Sequence, residues 1–160
     1  MKIHDEISEN KHMLYKLIDD GKLTKLELAS LYDGEELIGD LQINYYSNGI
    51  KNMAHIERVR ILDKYRGHPE HYGSFMMNEV IKHITDYKPE FDTSCLEYFL
   101  ASDAENLNDR LEAASIRGID RIHLECSSEL ESFYSRIGFE RKSDSLMEIV
   151  LNQLPYSSLE

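Results

Sequence analysis

The chain is expected to form one α/β (α+β) domain on a mixed sheet, with an antiparallel meander followed by helix, strand, helix and strand. Three observations predict this class. Alternating apolar and polar runs over residues 25–62 are punctuated by Asp33-Gly34 and Asn48-Gly49, both strong hairpin turns. Apolar residues then recur at helical spacing over residues 74–85. Last, Ile119 to Phe139 reads as a strand, a short aromatic-bearing helix, a glycine stop and a new strand.

Size and composition agree with a soluble globular chain. At 160 residues it is one domain by length, 1–160, and long enough to bury a core. Acidic residues outnumber basic ones 30 to 18, for a formal charge of −12. That charge repels phosphate backbones, so no nucleic acid is expected as partner, and cationic molecules or basic protein segments are favoured. Two cysteines, Cys95 and Cys126, make neither a disulfide framework nor a zinc site, and a reducing, cytoplasmic interior follows as the default. No apolar run approaches membrane-spanning length, and the polar start Met1-Lys2-Ile3-His4-Asp5-Glu6 does not read as a signal peptide, so no membrane is expected.

The first element is read as an amphipathic helix over residues 8–20, with Met13, Leu14, Leu17 and Ile18 on one face and Gly21 at its end. Three strands follow: Lys25 to Tyr32, Glu36 to Tyr46 and Met53 to Leu62. In the second, Leu37, Gly39, Leu41, Ile43 and Tyr45 alternate against Ile38, Asp40, Gln42 and Asn44. The run from Tyr65 through Ser74 reads as loop. A helix from Ser74 to Thr85 buries Phe75, Met76, Val80, Ile81 and Ile84. From Ser94 to Gly118 two capping boxes compete, Ser94 with Glu97 and Ser102 with Glu105, and a helix from Ser102 to Arg117 is favoured. After the Ile119 to Cys126 strand, Ser127 or Ser128 can cap a helix carrying Leu130, Phe133, Tyr134 and Ile137. Gly138 ends it, and Phe139 opens the final strand.

In this order the elements resemble the GNAT superfamily of acetyl-CoA-dependent N-acetyltransferases, over roughly residues 25–151. Two blocks carry the likeness. Leu62-Asp63-Lys64-Tyr65-Arg66-Gly67 followed by Gly73-Ser74 looks like the family's pyrophosphate loop. Phe133-Tyr134-Ser135-Arg136-Ile137-Gly138-Phe139 looks like its second block. The resemblance implies that acetyl-CoA is bound as co-substrate, without a metal. It implies that the backbone of Arg60, Ile61 and Leu62 pairs with the pantetheine arm. Arg66, Gly67, Gly73 and Ser74 would then hold the pyrophosphate, at the amide-rich start of a helix.

The loop departs from the family pattern Arg/Gln-x-x-Gly-x-Gly/Ala. Without a gap, Pro69 and His71 fall on the small-residue positions; with two extra residues, Gly73 supplies the last glycine and the first is lost. Proline has no N–H to donate, and a bulky residue resists positive φ. Two further departures are a short stretch ahead of the meander and an insertion at about residues 87–118. This insertion, or a second subunit in a homodimer, is expected to wall the acceptor pocket.

The chemistry implied is direct transfer of acetyl to a primary amine of a small molecule or protein. Tyr134 is the candidate acid for the departing thiolate, Glu57 the candidate base, and His55 its substitute. Glu57 is expected to share a sheet face with Val59 and Ile61 near the cleft, and a backbone N–H near Ile61 to polarise the carbonyl. The other reading is a GNAT-like binding or regulatory module that has lost its cofactor. His68-x-x-His71 is read as solvated loop, not a zinc pair, Cys126 as a small buried apolar residue, and Tyr45 as packing.

Overall fold

A computed structural model of the chain describes residues 10–18, 25–47, 51–67, 71–87 and 118–151. Seven strands lie in one sheet, in the order β1-β2-β3-β4-β5-β7-β6. They are β1 (Lys11–Ile18), β2 (Lys25–Asp33), β3 (Glu36–Ser47), β4 (Asn52–Ile61), β5 (Arg121–Glu125), β6 (Glu140–Arg141) and β7 (Leu146–Val150). Helix α1 (Tyr72–Asp86) follows β4, and helix α2 (Glu131–Ile137) follows β5. All neighbouring strands are antiparallel except β4 and β5, which run parallel.

Where a helix was expected over residues 8–20, residues 11–18 form β1 instead, paired residue for residue with β2. Met13, Leu14, Leu17 and Ile18 suit a helical stripe and a strand about equally well, and tertiary pairing decided between them. β2 needs a partner on its outer edge, and the strand register turns Met13 and Tyr15 against the core. Leu14 and Leu17, which a helix would have buried, are 54% and 55% exposed. The meander thus has four strands.

The three expected strands stand where the alternation put them, and Gly34 turns between β2 and β3 at φ 63°. The second turn, at Asn48-Gly49, lies outside the described residues, as do Cys95, the expected 102–117 helix and nearly all of the 87–118 insertion. Ser127 and Ser128 fall in a short 3₁₀ turn, where Ser127 makes no side-chain cap. Gly138 stops α2 at φ 128°, its N–H donating to Tyr134 O at 3.2 Å and Ser135 O at 3.1 Å. The final strand is a hairpin: β6 is two residues long, and β7 returns between it and β5.

One face of the sheet packs on α1. Leu31, Leu41, Ile43, Tyr45 and Ile56 meet Met76, Met77, Val80 and Ile84 there, all essentially inaccessible to water. Phe139 and Tyr134 extend this core to α2. On the opposite face, Gln42, Asn44, His55, His123 and Glu148 make a half-buried to buried polar row in mutual register.

Candidate functional site

β4 and β5 pair only from Met53–Arg121 to Ile56–Leu124. Past that point β4 continues to Ile61 beside β3 alone among the described residues, while β5 turns its other edge to β7. A knot of buried hydrogen bonds pins the closed end. Asp120 Oδ2 accepts from the Asn52 N–H at 2.7 Å, Asn52 Nδ2 donates to Gly118 O at 2.6 Å, and Ser47 Oγ donates to Asn52 Oδ1 at 2.7 Å. With one end fixed and the other unpaired, the two strands frame a wedge.

The free length of β4 is shaped by a bulge. Gln42 faces Glu57 and Asp40 faces Arg60, so β4 spends one extra residue there, and Arg58 takes φ 56°. A non-glycine residue at positive φ marks a bulge held by its surroundings. The bulge reverses the facing of everything after it. Glu57 therefore shares its sheet face with Arg60 and not, as simple alternation predicts, with Ile61. Glu57 and His55 face the polar row, where Asn44 Nδ2 donates to Glu57 Oε1 at 2.5 Å. Arg60 pairs with Asp40 through both Nε (3.0 Å) and Nη2 (2.6 Å).

Beyond the bulge the backbone groups alternate between two destinations. Leu62 N–H donates to Ile38 O of β3 at 2.8 Å, which turns the peptide groups of Ile61 towards the wedge. There Ile61 O accepts from Arg66 Nε at 2.9 Å, and Arg66 Nη1 lies 3.1 Å from Asp63 Oδ1. Arg66 thus already covers part of the edge. Gly67 takes φ 67°, with open space where a Cβ would stand.

The open end of the wedge faces the start of α1. Phe75 N–H donates to His71 O at 3.1 Å in the first turn of α1, and Gly73 and Ser74 precede it, so their amides head the helix dipole. His71 takes the left-handed conformation at φ 53° and ψ 55°. A bulky residue here supplies the positive φ that glycine would supply without strain; Pro69 and His68 lie outside the described residues. A Cβ at Gly73 would stand 3.4 Å from Phe133 Cζ and 4.0 Å from Ile61 Cγ1. Gly73, Ile61 and Phe133 therefore meet, which brings both sequence blocks together beside the free end of β4.

Tyr134 lies one residue along α2 and is only 6% exposed, its ring edge-on to Phe133 and Phe139. Burial, helped by neighbouring Cys126, pushes its phenol above the ordinary tyrosine range, so it carries its proton at neutral pH. Its hydroxyl has no hydrogen-bond partner among the described residues and is not sealed off from solvent. Cys126 is half-buried rather than buried, with Arg141 Nη2 3.6 Å from its sulfur.

Two residues absent from the expectations complete the row beside Glu57. His123 of β5 stands directly opposite His55 of β4. Its Nε2 lies 2.7 Å from Glu148 Oε2, on a carboxylate that Arg121 (3.4 Å) and Lys142 (3.7 Å) also approach. Burial alone would raise the Glu148 carboxyl. The His123 hydrogen bond and the Arg121 and His123 charges outweigh it and hold the group below the usual carboxylate range. The only sequence signal was the alternation of Arg121 and His123 against Ile122 and Leu124; their partner is 25 residues away for His123. Among the described residues no group of three or more His, Cys, Asp or Glu could hold a metal ion, and no helix is long and apolar enough to cross a membrane.

No protein-family model matches the sequence, and no curated protein matches it. Solved structures do. Arabidopsis thaliana NAA60, in complex with a bisubstrate analogue, superposes with a TM-score of 0.53 at 11% identity, covering 87% of this chain and 98% of that one. A candidate GNAT-family acetyltransferase from Desulfovibrio desulfuricans gives 0.50 at 8% identity, over 79% of this chain and 69% of that one. An acetyltransferase from Streptococcus agalactiae gives 0.47 at 15% identity over 78% of this chain, which spans 66% of that protein's length. The chain adopts the GNAT acetyltransferase fold.

Proposed function

We propose that, on this fold, the chain transfers an acetyl group from acetyl-CoA to a primary amine by direct attack. The observation that carries the reading is the wedge: β4 leaves β5 after Ile56, and its unpaired edge runs from Glu57 past Ile61 to the head of α1. An edge of unpaired peptide groups suits an amide-bearing pantetheine arm, and a helix N-terminus suits a pyrophosphate. Arg66, Gly67, Gly73 and Ser74 would hold the phosphates, and the backbone of Arg60, Ile61 and Leu62 would lie along the arm. The NAA60 neighbour, crystallised with a bisubstrate analogue, is consistent with such a ligand.

In the reaction the amine nitrogen attacks the thioester carbon, the C–S bond breaks, and the thiolate takes a proton from Tyr134. The amine's own proton leaves to Glu57, directly or through water. Glu57 is oriented for this by Asn44, and a backbone N–H near Ile61 polarises the carbonyl. His123, held by Glu148 and opposite His55, offers the proton a route along the polar row. The acceptor is a small-molecule or protein amine, and a homodimer would add walls to its pocket.

A second reading, a binding module without acetyl transfer, draws on Arg66, which occupies Ile61 O where the pantetheine would bond. Titration with acetyl-CoA and CoA separates the two. Binding to the native state alone raises the melting temperature by an amount that grows with ligand concentration. Acetyl transfer further requires free thiol to appear when acetyl-CoA meets an amine panel. No shift at millimolar ligand removes the enzymatic reading.

A further inference from the structure

The two ends of α1 differ in charge as well as in place. Its N-terminus heads the wedge, whereas His83, Asp86 and Tyr87 lie at its other end, about 16 to 22 Å away at 1.5 Å per residue. There α1 and the edge strand β1 enclose an open groove of about 540 Å³, within the size range of small-molecule sites. Its walls include Met13, Tyr15, Glu79, His83, Asp86 and Tyr87.

We propose that this groove is a second binding site, for a small organic cation: an ammonium group attached to a flat or apolar body. Three features point that way. First, the walls are aromatic and stacked. The His83 ring lies 3.5 Å from Tyr15 at 7° and 5.4 Å from Tyr87 at 19°, and Tyr87 in turn meets Tyr45 edge-on. Phenol rings bordering an open groove attract cations through their faces.

Second, carboxylates and a helix C-terminus face this end. Glu79 and Asp86 line the groove, and the last carbonyls of α1 add the negative end of its dipole. Beneath the stack lies the Glu27 carboxylate, 4% exposed, accepting from Tyr45 OH at 2.7 Å and lying 3.0 Å from His83 Nε2. Two lysines also line the groove: Lys11 holds its ammonium 4.9 Å from the centre of the Tyr72 ring, and Lys82, 74% exposed, pairs with Glu79 at 3.9 Å, which leaves Asp86 and Glu27 as the acids that no lysine pairs with among the described residues.

Third, the phenols register the same field. Burial first, then the charges of Glu79 and Glu27, push the Tyr15 hydroxyl far above its ordinary range. Burial and Glu27 do the same to Tyr45. This site does not depend on acetyl transfer, and it leaves the wedge free.

The test is a titration of ¹⁵N-labelled protein with phenethylammonium, followed by NMR, beside phenylacetate and phenethyl alcohol as anionic and neutral probes of similar shape. Saturable shifts are expected at Tyr15, His83, Asp86 and Tyr87 with the ammonium alone. Asp86→Asn with Glu79→Gln, both at exposed or half-buried positions, is expected to weaken binding at least about threefold at unchanged melting temperature. Equal response to phenylacetate, shifts confined to Glu57 and Tyr134, or unaltered affinity in the double variant would each overturn the proposal.

Discussion

Along its β3 edge, β4 is paired from Asn52 to Ile61; along its β5 edge, pairing covers Met53 to Ile56 and stops. The same ten residues therefore make one closed seam and one wedge. On the closed side, cross-strand pairs such as Arg60 with Asp40 and Ile61 with Gly39 resume the ladder beyond the bulge. On the open side, the one contact among the described residues that takes the place of β5 beyond Ile56 is Arg66 at Ile61 O. The wedge of the candidate site thus opens where β4 lacks a second strand partner, while the buried Asn52–Asp120 knot keeps the strands together at the other end.

Breaking the closed seam should have the largest effect. A Cβ at Gly39 would stand 2.4 Å from Arg60 O, and backbone cannot move aside cheaply. Gly39→Ala is expected to cost about 3 kcal/mol in urea unfolding, the upper range for overpacking. On the open side, Tyr134→Phe should lower the maximal acetylation rate about 100-fold, or about 2.7 kcal/mol, with acetyl-CoA affinity little changed. An undiminished rate would remove Tyr134 from the chemistry.

Glu148→Gln tests the row that runs across both seams and should destabilise by about 2 kcal/mol at neutral pH, since His123 and Arg121 lose a charged partner. Because the folded carboxyl titrates below its unfolded value, its contribution is present above that unfolded value and fades as pH falls through the folded one. The gap between wild type and variant in thermal melts should accordingly close below about pH 4. Smallest is Arg66→Ala, which frees Ile61 O from an exposed side chain. Stability should change by less than about 0.5 kcal/mol, and CoA affinity should fall about tenfold if the guanidinium moves to the pyrophosphate.

Much of the fold was legible because local signals agreed. The alternation of residues 36–46, Gly34 in its turn and the Phe133 to Phe139 helix with its Gly138 stop all follow from short-range chemistry. β1 was misread because eight residues support both periods, and only pairing with β2 chooses. The bulge left no mark: Arg58 is not a residue type that advertises positive φ, so the facing of Glu57 relative to Ile61 could not be read from parity. The His123–Glu148 pair escaped for another reason, since cross-strand partners 25 residues apart are joined by topology and not by spacing.

The wedge is tested most directly by amide hydrogen exchange along β4 with and without saturating acetyl-CoA. If the free edge takes the pantetheine arm, the Ile61 amide, which points away from β3, slows on binding, while Leu62, bonded to Ile38, changes little. Acetyl-CoA that binds without protecting Ile61, or fails to bind at all, would contradict the account.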